Sequence, residues 1–381
     1  MAINNPFIIT SEYILPAYFC DREEETEILV SNILNGRNTV LISPRRMGKS
    51  GLIQHVFSQD PIKKAYRTFG VDLYAASTLS ELVFFLGKTI TDNLKSAGRK
   101  RMEEFFSLVK SLRPGFKIDQ ISGEIRFDLS LGEITRPKDS LEEIFFYLEQ
   151  SKKPCVVAID EFQQIAEFPE KNILELLRTH IQKCKRTYFI FAGSKRRMMD
   201  KIFHNPSEPF YMSSAPLFLD PIGKDQYRRF AERHFSNAGK EIEADCFDHV
   251  YDLFEGHTWY VQRILNELFA WTDKGGKATK KMAIEVVEYI IKLSARGFEE
   301  QFSGISSSQK HLLIAVAKEG KARAVTSMGF VKKHALKSPS TVQSAIRALY
   351  ENETLSKEKN AYSITNRFFS LWINKQYSGA K

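Results

Sequence analysis

The sequence lacks the features that mark secreted proteins, proteins stabilised by a structural metal ion and membrane-spanning proteins. Its 381 residues include only four cysteines, which are scattered and show no metal-ligand spacing. No stretch of about 18 uncharged apolar residues exists, so we expect no transmembrane helix. The first residues lack a basic segment followed by an apolar one, so we expect no secretory signal. A reduced, cytoplasmic compartment is the simplest interpretation.

The first 300 residues also lack any excess of positive charge. Residues 301–381 contain 13 Lys and Arg against 4 Asp and Glu, a net of +9 that equals the net charge of the whole chain. This asymmetry indicates an attachment surface for nucleic acid in the last fifth of the chain. A solvated basic face without a partner stays open as the alternative.

What is present is a phosphate-binding pattern near the start of the chain. Residues 39–53, TVLISPRRMGKSGLI, run from β-forming residues through a short loop to an apolar helix start. Such a loop points backbone N–H groups inward, and the following helix adds its positive dipole end, so both favour polyphosphate. The pattern predicts that Lys49 reaches the β- and γ-phosphates and that the Ser50 hydroxyl holds Mg²⁺. The residues expected around the phosphates are Ser43, Pro44, Arg45, Arg46, Met47, Gly48, Lys49, Ser50 and Gly51.

One position departs from the usual phosphate-loop pattern. Ser43 stands where the first Gly is expected, and serine is small enough to allow close backbone approach. Arg45 and Arg46 could contact phosphate or an acidic neighbour, or could face solvent. The structural alternative for the whole stretch is a strand-to-helix turn that happens to contain Gly-Lys-Ser.

Residues 154–164, PCVVAIDEFQQ, indicate the second half of the same site. The apolar run Val156–Ile159 is typical of a strand buried on both faces of a parallel sheet. Asp160 and Glu161 follow at its carboxyl end, where open α/β sheets bind ligands. We expect Asp160 to hold Mg²⁺, directly or through water, and Glu161 to polarise the attacking water. The alternative, an Asp-Glu pair that caps the next helix, is much weaker beside the phosphate-loop pattern.

The periodic patterns predict an α/β fold followed by two smaller domains. Residues 1–221 interleave helices with buried strands, which favours a parallel sheet flanked by helices, and residues 116–131 predict an inserted β-hairpin. Residues 222–300 predict a small helical domain. Residues 301–381 predict three helices followed by two short strands, the winged-helix plan, in which the third helix can enter the major groove.

The winged-helix segment supplies the candidate contacts to DNA. Ser340 is predicted to cap the third helix, with Val342, Ile346 and Leu349 on its inner face. The candidate contacts are Lys332, Lys333, Lys337, Ser340, Gln343, Arg347, Lys357 and Lys359.

With these motifs the chain resembles the archaeal-type ATPase family, which belongs to the STAND/AAA+ branch of P-loop NTPases. Phe19-Cys20-Asp21-Arg22-Glu23 resembles its F-x-x-R-E box, SPRRMGKS its phosphate loop, AIDEFQ its metal and catalytic strand and FAGSKRRMM its sensor-1 strand. The resemblance covers nearly the whole chain. It implies a P-loop NTPase sheet with helical and winged-helix domains behind it, and ATP and Mg²⁺ as cofactors.

The resemblance also implies roles for three further residues. Phe19 and Arg22 would flank the adenine, and Ser194 would sense the γ-phosphate. Each has a structural alternative: Phe19 as a core residue, Arg22 as a surface ion pair, and Ser194 as the cap of the next helix.

Two departures from the family pattern bear on hydrolysis. Family members often carry an Arg in a segment like PFYGR, whereas residues 209–217 here read PFYMSSAPL. Hydrolysis is therefore expected to be slow unless Arg178, Arg196 or Arg197 substitutes. The G-x-P motif of the helical domain appears as Gly256-His257-Thr258, without Pro, and Arg263 is either a sensor-2 cation or a surface residue.

Two functions from different classes follow. The first is an ATP-binding switch with slow hydrolysis, whose nucleotide state repositions a basic winged helix on DNA. The second is a STAND-like regulator whose winged helix is a protein-docking or autoinhibitory lid that binds no DNA. The expected partners are ATP or ADP together with double-stranded DNA or a protein, with no membrane partner. A homo-oligomer is left open.

Overall fold

The structure is a computed structural model that describes residues 5–9, 16–95, 99–118, 125–127, 134–358 and 360–377. The chain forms two compact units. We call residues 8–227 with 257–259 the sheet unit, and residues 1–7, 228–256 and 260–381 the helical unit. The three-domain division with boundaries after residues 221 and 300 stays a prediction.

The sheet unit is built on a five-stranded parallel sheet with a separate two-stranded hairpin. Its strands are β1 (Thr39–Ile42), β2 (Arg67–Asp72), β3 (Phe116–Ile118), β4 (Ile125–Phe127), β5 (Cys155–Asp160), β6 (Thr187–Gly193) and β7 (Ala215–Phe218). The order in the large sheet is β2-β5-β6-β1-β7, and every neighbouring pair is parallel. Strands β1 and β5, which carry the two predicted halves of the site, flank β6.

Helices cover both faces of this sheet. They are α1 (Glu23–Leu34), α2 (Lys49–Ser58), α3 (Asp60–Ala65), α4 (Leu79–Lys95), α5 (Arg99–Leu108), α6 (Pro137–Glu149), α7 (Ile173–Lys183) and α8 (Arg196–His204). Successive strand residues enter opposite cores: Val40 and Ile42 lie in the core that also holds α4 and α6 residues, and Leu41 lies in the core under α1 and α2. Because both faces of the central strands are buried, β1, β5 and β6 consist mostly of apolar residues. The predicted α/β fold with a parallel sheet flanked by helices is confirmed.

The edge strand β7 was not predicted. Among the described strands it pairs with β1 alone, and its second and fourth residues, Pro216 and Phe218, are exposed. Its four residues, APLF, form an apolar run, but the run is short and contains a proline, which weakens a strand assignment. Its residues therefore offer little local signal of a strand.

The predicted hairpin insertion is present as the antiparallel pair β3 and β4, in which Phe116 lies opposite Phe127. The rest of the predicted span, residues 119–124 and 128–131, lies outside the described residues.

From residue 224 onward the described chain is mostly helical. The helices are α9 (Lys224–Asn237), α10 (Ala244–Leu253), α11 (Thr258–Trp271), α12 (Lys280–Ser303), α13 (Ser307–Glu319), α14 (Met328–Lys333), α15 (Pro339–Glu351) and α16 (Arg367–Tyr377). The strands are β8 (Glu241–Ile242), β9 (Lys277–Ala278), β10 (Ala322–Arg323), β11 (Leu355–Glu358) and β12 (Ala361–Ile364). The two-residue parallel pair of β8 and β9 was not predicted, because so short a bridge has no periodicity. None of these helices, nor any other in the described chain, is long and apolar enough to span a membrane.

The winged-helix plan is confirmed, with two additions. Helices α13, α14 and α15 precede a three-stranded sheet in the order β10-β12-β11, and α16 follows it. The prediction included neither β10 nor α16. Helix α16 buries Phe368, Phe369, Trp372 and Ile373.

The prediction that Ser340 caps α15 is wrong. The N-cap is Ser338, whose Oγ accepts the Thr341 N–H at 3.2 Å, and Pro339 takes the first helical position. Proline suits that position because its missing N–H would lack a helical partner there in any case. The helix therefore begins earlier than predicted, and Ser340 lies exposed on its first turn.

We expect Ser338→Ala to lower the free energy of unfolding by about 1 kcal/mol, because the Thr341 N–H loses its acceptor. Urea denaturation followed by circular dichroism measures this. Ser340→Ala is the matched control, with a smaller expected loss. An equal or larger loss in the control would contradict the assignment of the cap.

Candidate functional site

The phosphate-loop residues join β1 directly to α2. Ser43 is buried, its N–H donates to the Gly193 carbonyl at 3.2 Å, and its Oγ donates to the Pro44 carbonyl at 3.2 Å. Serine thus fits the position where a glycine is usual. Gly48 precedes the helix with φ +90°, a conformation that side-chain-bearing residues rarely adopt, so glycine is required there by backbone conformation. Gly51 lies in the first turn of α2.

The structure brings Lys49 and Asp160 together, as the sequence predicted. The Lys49 Nζ donates to Asp160 Oδ1 and lies 3.4 Å from Glu161 Oε1. Ser50 Oγ donates to Asp160 Oδ2 at 2.6 Å. All four side chains therefore converge where the amino end of α2 meets the carboxyl end of β5.

Glu161 is held from several directions. Its φ of +54° is unusual for a residue with a side chain, and its N–H donates to Asp160 Oδ1 at 2.8 Å. Its Oε2 accepts from Ser194 Oγ at 2.7 Å and from the Gln163 amide. Helix α8 is capped at Lys195, so the alternative of Ser194 as a helix cap does not describe its position. The donors fix the carboxylate's direction, and a fixed carboxylate is what a positioned base requires.

Two residues of this cluster, Gln163 and Asp72, were not predicted from the sequence. Gln163 is fully buried, and its side-chain amide donates to the Glu161 carboxylate. Asp72 ends β2 and lies in register opposite Asp160. A signal existed for Asp72, because a carboxylate at the end of a predicted strand belongs to the ligand-binding edge of the sheet.

Asp72 also has a perturbed titration. Partial burial raises the pKa of its carboxyl above the ordinary value, and repulsion from Asp160 and Glu161 adds to the rise. The Tyr74 N–H, which donates to Asp72 Oδ1 at 2.8 Å, and the Lys49 ammonium act in the opposite direction. Three carboxylates around one ammonium thus leave an excess of negative charge at this edge.

The two residues expected beside the base occupy different environments. The half-buried Phe19 ring stacks on His55, with centroids 3.9 Å apart and planes within 4°. Arg22 is 5% exposed, pairs with Glu25 at 2.7 Å and donates to the Met47 carbonyl at 3.4 Å. Arg22 thus forms an ion pair, as one alternative predicted. It is buried, however, and it contacts the phosphate loop.

The loop arginines lie over aromatic rings. The Arg45 guanidinium lies 5.5 Å from the Tyr74 ring centroid, and that of Arg46 lies 4.2 Å from the Trp259 ring centroid. Arg46 has φ +68°, and its carbonyl accepts the Trp259 N–H at 3.0 Å. Neither aromatic partner was anticipated, since both come from distant parts of the sequence.

The candidate substitutes for a missing arginine have partners of their own. The Arg178 guanidinium lies 6.0 Å from the Phe210 ring centroid, and Arg196 lies 5.1 Å from that of Phe218 and pairs with Asp200 at 3.6 Å. Arg263, the sensor-2 candidate, pairs with Glu267 on its own helix at 2.5 Å.

The candidate DNA contacts lie on α14, α15, the turn between them and β11. Six are exposed: Lys332, Lys333, Lys337, Ser340, Gln343 and Arg347. Lys333 pairs with Glu319 at 2.5 Å, Arg347 pairs with Glu351 at 3.1 Å, and Lys357 lies 5.0 Å from the Tyr362 ring centroid. Lys359 lies outside the described residues.

In the described residues, side chains alone do not form a complete metal site. No group of three or more His, Cys, Asp and Glu side chains in the described chain could hold a metal ion. One carboxylate and one hydroxyl, Asp160 and Ser50, do converge within 2.6 Å. Mg²⁺ is commonly bound in that way, by one or two protein oxygens together with water and substrate phosphates.

Comparison with known families gives two matches. The family model described as "ATPase domain predominantly from Archaea" matches residues 19–264. The model described as "Probable winged helix domain" matches residues 296–375. A search of the curated proteins finds no relative.

Several solved structures share the fold. A Walker-type ATPase of Pyrococcus abyssi is 19% identical with a TM-score of 0.64, covering 97% of this chain and 99% of its own. The ORC2 protein of Aeropyrum pernix, solved as ADPNP–ADP complexes, is 12% identical with a TM-score of 0.58, covering 99% of each chain. The ORC1 protein of the same organism, solved in complex with DNA, is 12% identical with a TM-score of 0.50, covering 96% of this chain and 95% of its own. At these identities the likeness concerns the fold alone.

We expect Asp72→Asn to stabilise the protein at neutral pH. The raised pKa of Asp72 means that folding favours the protonated carboxyl, so its contribution is present at low pH and lost as the pH rises above the ordinary value of 3.8. A neutral amide removes that loss and can still accept the Tyr74 N–H. Thermal melts from about pH 3.5, below the ordinary value of 3.8, up to pH 7.5, with a chelator present, should show an advantage that is smaller at the lowest pH than at the highest.

The control for this series is Asp92→Asn, which removes a surface carboxylate paired with Lys95 at 2.7 Å. A melting temperature of Asp72→Asn that stays at or below that of the parent protein at pH 7.5 would contradict the expected repulsion.

Proposed function

The chain belongs to the family of ATPase domains found predominantly in Archaea, and from this premise we propose that it is a Mg²⁺-dependent ATP-binding switch with slow ATP hydrolysis. The observation that carries the proposal is the convergence of Lys49, Ser50, Asp160 and Glu161 at the amino end of α2. A phosphate loop and an acidic strand end thus meet at one point. Together they suit a metal-bound triphosphate.

One side of the site, formed by Lys49 and the start of α2, suits a polyanion. The Lys49 side chain is 8% exposed, so its ammonium is largely removed from water and needs strong acceptors. Phosphate oxygens are such acceptors, and the N–H groups at the start of α2 add partial positive charge on the same side. Lys49 and the loop residues from Ser43 to Gly51 would hold the β- and γ-phosphates.

The chain's own oxygens fit a hard divalent cation. Ser50 Oγ and Asp160 Oδ2 would hold Mg²⁺, which when bound neutralises phosphate charge and orients the transferring group. The Asp72 carboxylate adds negative potential from the neighbouring strand. This donor set suits magnesium better than zinc or copper, which favour His and Cys ligands.

Hydrolysis would use Glu161 as the group that orients and polarises a water molecule. The Ser194 hydroxyl and the Gln163 amide fix its carboxylate, and Ser194 would link that carboxylate to the γ-phosphate. The segment from Pro209 to Leu217 supplies no arginine. Because such an arginine is worth about 10³ or more in rate, turnover should be slow, and we propose regulation by nucleotide state.

We propose that the regulated element is the winged helix and that it binds double-stranded DNA. The excess positive charge of the chain is confined to residues 301–381. The outer side of α15 presents exposed Ser340, Gln343 and Arg347. A structural relative, the ORC1 protein of Aeropyrum pernix, was solved in complex with DNA. The polar and basic character of this face suits a phosphate backbone better than it suits the alternative of an autoinhibitory or protein-docking lid.

The nucleotide site is tested with two substitutions. Lys49→Ala should weaken Mg·ATP binding by about 100-fold or more, roughly 3 kcal/mol, since it removes the buried ammonium. Glu161→Gln should bind Mg·ATP normally but lose turnover by about 10² or more, because the amide cannot accept a proton. Calorimetry measures binding, and phosphate release measures turnover. Lys64→Ala, on the exposed face of α3, is the control.

Two results would count against this proposal. Parental affinity in Lys49→Ala would exclude the phosphate-loop role, and parental turnover in Glu161→Gln would exclude the role of Glu161 as base.

DNA binding is tested in the full-length protein across a salt series. Lys332 and Lys337 are exposed and have no carboxylate partner among the described residues. Replacing both with alanine should lower the slope of log K against log salt by about 0.9 for each phosphate that the variant no longer neutralises. Fluorescence anisotropy of a labelled duplex between about 50 and 200 mM salt measures it, again with Lys64→Ala as control.

If the parent protein fails to bind duplex even at about 50 mM salt, the DNA function is wrong, and the protein-docking lid becomes the better account. An unchanged slope in the double variant would instead place the interface elsewhere.

A further inference from the structure

The first turn of α11 is shared by the two units. Thr258 and Trp259 belong to the sheet unit, whereas Tyr260 and the residues after it belong to the helical unit. The chain therefore leaves one unit and enters the other across a single peptide bond inside a regular helix. Each of these residues makes specific contacts within its own unit.

On the sheet-unit side, Thr258 and Trp259 bind the backbone of the phosphate loop. The Trp259 N–H donates to the Arg46 carbonyl at 3.0 Å, and Thr258 Oγ1 donates to the Met47 carbonyl at 3.3 Å. The Arg46 guanidinium lies over the Trp259 ring at 4.2 Å. The first N–H groups of a helix lack partners within it, so the loop carbonyl satisfies a donor that would otherwise need water.

These contacts hold a strained loop conformation. Arg46 has φ +68° and Gly48 has φ +90°, and a non-glycine residue in the left-handed region costs roughly 1 kcal/mol or more. Such a conformation persists only where neighbours enforce it. Thr258 and Trp259 are therefore positioning residues for the phosphate loop, and a shift of its carbonyls would act directly on the start of α11.

On the helical-unit side, Tyr260 binds the start of α16. Its hydroxyl donates to the Thr365 carbonyl at 3.3 Å and accepts the Arg367 N–H at 3.1 Å. Its ring, 2% exposed, stacks on Phe254 at 5.3 Å and meets Phe368 edge-on at 5.3 Å. Tyr260 thus ties the first turn of α11 to the strand end and helix that close the winged-helix domain.

We propose that the Trp259-Tyr260 dipeptide couples the phosphate loop to the winged helix. Neighbouring residues in a helix turn move together. A nucleotide that shifts the carbonyl groups of Arg46 and Met47 would therefore change the orientation of Tyr260 and, through it, of α16. This inference rests on the proposed nucleotide binding and names the residues through which it would act. The coupling is reciprocal, so a ligand of the winged helix would alter nucleotide affinity by the same factor.

The test is hydrogen exchange in the full-length protein, followed in peptides that cover residues 361–370. With Mg²⁺ and adenylyl imidodiphosphate, compared with Mg²⁺ and ADP, exchange in the parent protein should change by about fivefold. Tyr260→Phe keeps the ring but loses both hydroxyl hydrogen bonds. It should bind nucleotide as the parent does, while its exchange response falls below about twofold.

A second variant tests the other side of the dipeptide. Trp259→Leu should weaken nucleotide affinity by about 5- to 10-fold through the loosened loop, and at saturating nucleotide it should also lose the response at residues 361–370. Controls are Trp271→Leu at the other end of α11 and Tyr289→Phe on α12, both partly exposed. Circular dichroism melts verify folding, and Thr258→Val replaces any variant that fails to fold.

The outcomes separate the two proposals. Normal nucleotide binding together with a full exchange response in Tyr260→Phe overturns the coupling and leaves the ATP-binding function intact. Absence of nucleotide binding in the parent protein overturns both.

Discussion

The arrangement of the sheet unit depends on one buried ammonium group. Lys49 lies between the carboxylates of Asp160 and Glu161, and a charge so far removed from water is tolerated only with close partners of opposite sign. This requirement fixes the amino end of α2 against the carboxyl end of β5, two strands away from β1 in the sheet. Asp72 adds a third carboxylate, so the cluster carries net negative charge that suits a cation. Replacing Lys49 would leave the Asp160 and Glu161 carboxylates, both mostly buried, without a cation between them.

The sequence predicted this centre because its signals are local. Four consecutive apolar residues before Asp160, and a Gly-Lys-Ser after a β-forming run, each describe a strand end without reference to the rest of the chain. The same holds for the helices of the winged-helix segment. Elements without a local signal were missed. Strand β7 is short and contains Pro216. Helix α16 follows β12, whereas the predicted winged-helix plan ended with its two strands. The cap of α15 was misplaced because serines stand at both 338 and 340, and only the position of Pro339 in the helix decides between them.

Contacts between distant segments could not be predicted in the same way. Gln163 holds Glu161, Tyr74 lies under Arg45, and Trp259 lies under Arg46. Each pairing depends on how two loops meet at the edge of the sheet, which no spacing rule encodes. The loop arginines illustrate the limit: phosphate, acidic neighbours and solvent were the alternatives, and none of them predicts the observed contacts with aromatic faces, which bind a guanidinium through the ring quadrupole.

Pro216 affects how the open edge of the sheet can pair with strands of other chains. The Ala215 N–H donates to the Asn38 carbonyl, just before β1, and the Leu219 N–H donates to the Ile42 carbonyl. Because N–H groups alternate in direction along a strand, position 216 faces away from β1, toward the outer side of the sheet. A proline there offers no donor to a passing strand. Open strand edges are where unrelated chains adhere to one another in a crowded cell. Pro216 therefore disfavours the pairing of another chain, and so aggregation, at the edge strand β7, which no further strand of the described sheet covers.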